Sequence, residues 1–467
     1  MLFTSFTFLF AFFPVVLVLW WALRRPAWRL VFLALASYFF YAWYDWRYLP
    51  LLWLTTLVDF GAGRVISASA DRPRRRRLAL VVAIVINLSA LGFFKYANFF
   101  LDSLQGVATW FGVHHPLPTL HILLPLGISF YTFSSLSSTV DIYRGAVQPP
   151  KNLLQYAVFV AMFPRLLAGP IARFGDMDRQ LRELQPRLTS QMAASGLFFV
   201  ACGLAKKLLV ADILAPYVDD LFTAHDKLGL LSGWAAAIGY TLQLYFDFSG
   251  YSDTATGLAL LLGFRLPQNF NSPYKAVNAS DFWRRWHMTL SYWLRDYLFI
   301  PFGGSRHGMP RTVRNLMLTF LLGGLWHGAG WTFVLWGGMH GFYQSVHAVL
   351  RKKGLTPHSV IFNRAVTFLL VAVAWVPFRA PSISVTGSMF ASMIGAHGLD
   401  STSALGSLVG LPFALMLGAA LVFVNAAPNT WEITLTAQRR YAVVLGLLLA
   451  VSILFISQPL PFLYFKF

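Results

Sequence analysis

The sequence predicts an all-α, polytopic membrane protein, and three observations predict it. Of the 467 residues, 57% are hydrophobic and only 12% charged, about half the ~25% charged share of a soluble domain. The apolar stretches run continuously for about 20 residues instead of alternating, which suits spanning helices and not a β-barrel. The aromatic load is heavy, with 43 Phe, 18 Tyr and 16 Trp, as expected of interfacial belts and a packed bundle.

The first span is read at 5–23. Its apolar run is too long and its start too uncharged for a cleavable leader. Arg24, Arg25 and Arg29 follow, and the positive-inside rule makes that loop cytoplasmic and the N-terminus outside. Spans at 31–44 and 51–66 are joined by an aromatic turn at 45–48. The Asp71-Arg72-Pro73-Arg74-Arg75-Arg76-Arg77 run then reads as a second cytoplasmic loop that agrees on orientation. Further spans are expected at 78–101 and 122–140, the latter rich in Ser and Thr. Segment 153–168 has basic residues on both sides and reads as a re-entrant hairpin. The pattern continues with 191–209, where Lys206 and Lys207 sit badly in a span, and with 230–246, which closes on a loop holding Asp247 and Asp253. Region 269–314 is weakly hydrophobic and basic, and faces the cytoplasm. Spans at 342–350, 366–378, 408–424 and 441–456 follow. The total is about eleven transmembrane helices plus re-entrant elements, with no break in composition that would divide residues 1–467 into more than one domain.

Composition also excludes functions. The net charge of +19 belongs to cytoplasmic loops on anionic lipid, and no basic soluble domain exists to bind nucleic acid. Cys202 is the only cysteine, so there is no disulfide framework and no thiolate metal cluster. It reads as a small core residue.

Chemistry concentrates at 321–341, an apolar stretch carrying His327 and His340 with no acid between them. Its glycines at 323, 324, 328, 330, 337 and 338 make a plain helix costly. Irregular backbone at membrane depth is tolerated only inside protein or beside a wet cavity, and an imidazole there marks a functional site. The pair matches no metal-binding spacing. A second constellation is the basic-aromatic block 281–314. Arg284, Arg285, Arg295 and Arg306, with Trp286 beside them, suit the phosphates of a soluble donor. Alternatively the block is an interfacial helix anchored on lipid through Trp283, Trp286 and Trp293. Asp247, Asp253, Asp281 and Asp296 read as structural ion-pair partners.

These motifs resemble the membrane-bound O-acyltransferase family and, within it, the bacterial alginate O-acetylase branch. The matching stretches run from 1–17 to 462–467. Trp326-His327-Gly328, with Trp336-Gly337 and His340-Gly341 after it, is the most specific part. The resemblance implies a ring of helices with central funnels meeting at a catalytic His327, and His340 as a second active-site residue. It further implies Tyr464 as an acyl relay near the C-terminus. Arg165 and Ser134 stand where the resemblance expects glutamine, a departure that bears on the acceptor or partner. The implied activity moves an acetyl group from cytoplasmic acetyl-coenzyme A, a donor substrate and not a bound cofactor, to a secreted or cell-surface polysaccharide. His327 would act as base and amides of the glycine-rich turn would hold the oxyanion. A periplasmic serine-esterase-like (SGNH-type) acetyltransferase is the implied partner, and the bacterial inner membrane the implied location. Two alternatives stand beside it: a carrier-protein-fed acyltransferase of wall polymers, and a polysaccharide or lipid-linked-sugar transporter without chemistry of its own.

Overall fold

A computed structural model describes residues 1–112, 120, 122–184, 188–400, 409–433, 439–456, 462 and 463. Tyr464 and the pair His114 and His115 lie outside the described residues. Every regular element among those described is helical. The chain divides into two compact units. One comprises residues 1–197 and 255–267, the other 198–254 and 268–467.

In the first unit a π-helical turn Thr7–Phe12 leads into Phe13–Ala22. Pro26–Asp45 and Leu49–Ala68 follow, separated by the 3-10 turn Trp46–Tyr48 at the expected aromatic turn. Asp45 caps that turn by accepting from the Arg47 backbone amide. Pro73–Trp110 is one helix of 38 residues, about 57 Å long against a hydrocarbon core of about 30 Å. It therefore runs past both ends of the span expected at 78–101. Among the described residues, three helical segments are long and apolar enough to cross a membrane: Pro26–Ala68, Pro73–Trp110 and Val360–Arg379. Thr7–Ala22, Ile383–Met393, Gly410–Ala426 and Tyr441–Leu454 are shorter apolar helices.

The Ser/Thr-rich segment Ile128–Tyr143 is buried over nearly its whole length. Its hydroxyls serve a carboxylate. Asp59 accepts hydrogen bonds from Ser135, from Thr139 at 2.7 Å and from Asn87 at 2.9 Å. The supposed re-entrant hairpin is a buried nine-residue helix, Leu153–Ala161, and a short turn Phe163–Leu166. At 1.5 Å per residue neither piece can cross a bilayer alone. The two departures from the family pattern meet here, for buried Arg165 donates to the Ser134 hydroxyl at 3.2 Å and to the Phe159 carbonyl.

In the second unit, Leu230–Leu261 continues for 32 residues, well past the expected end at 246. Asp247 and Asp253 are thus inside a helix and buried, not in a loop. The awkward lysines explain this. Lys206 pairs with Asp253 at 2.6 Å, and Lys207 pairs with Asp247 at 2.6 Å and Asp212 at 2.7 Å. Lys206–Ala211 winds as a π-helical turn, the wider geometry often found where a helix is bent to function. Asp400 closes the N-terminus of Leu230–Leu261 by accepting from the amides of Gly229, Leu231 and Ser232 and from the Ser232 hydroxyl.

Candidate active site

The site is a helical hairpin in the second unit, Met309–His327 and Trp331–Lys352. Most of its glycines do not break helix, contrary to the expectation from sequence. A Cβ on Gly324 would lie 2.2 Å from the Phe333 carbonyl oxygen, and one on Gly337 would lie 2.3 Å from that of Phe320. Small residues at these positions let two helix backbones touch, as in small-xxx-small packing within membranes. The chain turns only at Gly328–Gly330, directly after His327. Two amides of this turn, those of Gly328 and Gly330, donate to the carbonyls of Gly324 and Gly328.

His327 is 4% exposed. The rings of Trp326 and Trp336 stand 4.8 Å from it, centroid to centroid, and that of Phe378 5.3 Å. His340 is 1% exposed and lies 4.9 Å from the same Trp336 ring. One indole therefore flanks both histidines, although 13 positions separate them in the chain. Trp375 stacks on that indole at 5.6 Å.

Hydrogen bonding fixes the character of His340. Trp283 donates its indole N–H to Nδ1 of His340 at 3.2 Å. An indole can only donate, so Nδ1 accepts, and neutral His340 carries its proton on Nε2. Among the described residues, His340 Nε2 and Trp336 Nε1 are buried without a hydrogen-bond partner. Leaving such donors unmatched costs about 1–3 kcal/mol each, a cost typical of groups held ready for a reacting atom.

The structure adds a third histidine, one to which the sequence assigned no role. His287 is fully buried and adopts a left-handed backbone, φ 41° and ψ 54°, ahead of Met288–Leu294. This conformation is rare outside glycine and strained. Its Nδ1 meets Asn269 Oδ1 at 3.0 Å. That oxygen also accepts from the Thr289 hydroxyl and amide, so Nδ1 of His287 donates and the lone pair sits on Nε2. Burial pushes the imidazole down to about 3, which keeps it neutral at physiological pH. Its ring lies 6.3 Å from that of Trp326, the neighbour of His327. A buried histidine beside the Arg284-Arg285-Trp286 run was the available signal.

The basic block divides in two. Arg284, Arg295 and Arg306 are exposed and Arg285 is half-buried. Arg284 and Arg285 pair with Asp281 at 3.6 and 3.1 Å, and Arg295 pairs with Asp296 at 2.6 Å. Trp286 is not with them. It is 2% exposed, stacked on Phe282 at 5.7 Å and against Trp375 at 4.9 Å. Trp283 and Trp293 are buried too, so the three indoles are core residues and not lipid anchors. Elsewhere in this unit a cavity of about 480 Å³ is lined by Cys202, Lys206, Tyr245, Phe246, Met416 and Phe423 among others, with no histidine in its wall.

The model of the membrane-bound O-acyltransferase family matches residues 122–390. The chain belongs to that family. It is an acyltransferase, and the histidine hairpin falls inside the matched region. It is 45% identical to a probable alginate O-acetylase of Azotobacter vinelandii, over 84% of this chain and 78% of that protein. A probable alginate O-acetylase of Pseudomonas aeruginosa is 43% identical over 90% of this chain and 80% of its own length. A peptidoglycan O-acetyltransferase of Helicobacter pylori is 38% identical, with 86% and 81% covered.

Proposed function

We propose that this acyltransferase moves acetyl from cytoplasmic acetyl-coenzyme A to a hydroxyl of a secreted or cell-surface polysaccharide. The observation that carries the reading is the pair of buried histidines on either side of Trp336, in a chain similar to enzymes named for O-acetylation of alginate and peptidoglycan. Membership of an acyltransferase family sets the transporter alternative aside.

His327 takes the proton of the acceptor hydroxyl as its oxygen attacks the thioester carbonyl. The Nε2–H of His340 donates to the oxyanion that forms. Collapse breaks the carbon–sulfur bond, and the thiolate leaves with the proton held by His327, giving an O-acetyl ester and coenzyme A. General-base help of this kind is worth roughly 10²–10⁴ in rate. The exposed arginines 284, 295 and 306 receive the donor's phosphates, aided by Arg285. Because His327 is only 4% exposed, its aromatic surround opens before transfer.

In the same reading about eleven spans form a ring in the bacterial inner membrane with the N-terminus outside, and funnels meet at His327. In its relay form the hydroxyl that attacks the thioester is that of Tyr464, whose acetyl ester then passes to a periplasmic serine-esterase-like partner and from it to the polysaccharide. The test is reconstitution. Protein in vesicles, given acetyl-labelled coenzyme A on the arginine-rich side, is expected to label polysaccharide added on the other side. Label that appears only in free acetate would contradict polysaccharide as the acceptor.

A further inference from the structure

The buried lysine–aspartate cluster of the second unit is completed by the end of the chain. Lys207 is 2% exposed, and its single ammonium faces two carboxylates, Asp247 and Asp212. Ion pairs buried this deeply seldom repay their desolvation unless further hydrogen bonds satisfy the remaining atoms. The C-terminal segment supplies contacts to both partners of the main pair. The backbone amide of Leu463 donates to Asp247 Oδ2 at 2.9 Å. The Lys207 ammonium lies over the Phe462 ring, 4.9 Å from its centroid, a cation–π contact strengthened by desolvation. Phe462 in turn stands edge-on to Tyr251 at 4.3 Å.

These contacts recognise the tail in two independent ways, through an amide by a carboxylate and through a ring face by an ammonium. Neither depends on helix propensity, and both come from residues more than 200 positions earlier in the sequence. We infer that the Lys207–Asp247 pair is a docking site for the chain's own C-terminal segment, and that Asp247 is a positioning residue for it. The residue that follows in the sequence is Tyr464. The consequence for transfer therefore rests on the relay proposed for Tyr464, whereas the docking itself does not.

Hydrogen–deuterium exchange on the full-length protein in detergent tests this. Asp247→Ala and Asp247→Asn are each compared with the unsubstituted protein. The Leu463 amide, read in the C-terminal peptide, is expected to exchange about tenfold faster or more in Asp247→Ala, the loss of one charge-assisted hydrogen bond. Protection of the 309–352 hairpin should stay unchanged. If Asp247→Ala does not fold, Asp247→Asn, which keeps the side-chain shape, is read for the same acceleration at smaller size. Unchanged exchange at Leu463 in the folded variant overturns the inference. The same substitutions made with and without Tyr464→Phe separate the two ideas. If Tyr464→Phe still transfers acetyl at the full rate, the relay fails while the exchange result alone decides the docking.

Discussion

Two buried polar clusters, one in each unit, show different uses of the same cost. In the first unit Asp59 is surrounded by neutral donors, the hydroxyls of Ser135 and Thr139 and the amide of Asn87. Its oxygens have partners and the donors around it are matched; among the described residues, the atom left without a partner there is an acceptor, Asn87 Oδ1. In the second unit the histidine cluster keeps donors unmatched at Trp336 and His340 among the described residues, and His287 sits on a strained backbone. A polar cluster whose donors are all matched holds helices in register. One left partly open is suited to receive a reacting group.

Substitutions in the two clusters should therefore separate into lost chemistry and lost stability. After His327 itself, the largest effect is expected at His340. His340→Ala should lower acetyl transfer about 10²–10³-fold, the scale of removing one oxyanion donor, with the melting temperature little changed. His340→Gln should recover part of the rate, because a side-chain amide still donates. Trp283→Phe, which keeps the ring but frees the tautomer of His340, should fall between. If the Gln and Ala variants are equally slow, donation by His340 is the wrong role. Asp59→Ala should reverse the pattern. Asn87 keeps the Ala83 carbonyl and Ser135 keeps the Tyr156 hydroxyl, so the Thr139 hydroxyl is the donor that loses its acceptor. The change should cost about 1–3 kcal/mol of stability, seen as a lower melting temperature, while the rate per folded molecule is retained.

The smallest effect is expected at Asp400. Burial alone would push its carboxyl up, but the Ser232 hydroxyl and three backbone amides outweigh it and hold the carboxyl below its ordinary value. A depressed carboxylate stabilises fully above its unfolded value, near 3.9, and loses that contribution as pH falls through the folded value. Asp400→Asn should thus cost about 1 kcal/mol near neutral pH, as a lost helix cap does, reduced by its partial exposure. The gap in melting temperature from the parent protein should close under acid. A gap that is constant with pH would show that the charge is not what caps the helix.

Much of the fold was legible because apolar runs of about 20 residues admit few alternatives. The aromatic turn expected at 45–48 is a real join between helices, whereas residues 73–77, read as loop, open the helix Pro73–Trp110. The sequence failed where a distant partner changed the meaning of a residue. Asp247 and Asp253 are the ion-pair partners they were read as, yet they were placed past the end of a span because Lys206 and Lys207 are 40 and more positions away. The glycines of 321–341 looked like helix breakers because a neighbouring helix backbone, which explains them, is invisible in one strand of sequence. His327 and His340 were singled out by their apolar, glycine-rich setting and by the family resemblance. Which nitrogen of His340 carries the proton depends on Trp283, 57 positions earlier. Trp286 was grouped with arginines it adjoins in sequence and faces away from in the fold.

Acetyl transfer by purified His327→Ala protein, measured with labelled acetyl-coenzyme A beside the parent protein, tests the central claim most directly. The account predicts a rate lower by roughly 10²–10⁴ in a variant that melts as the parent does. Transfer at the parental rate would contradict it.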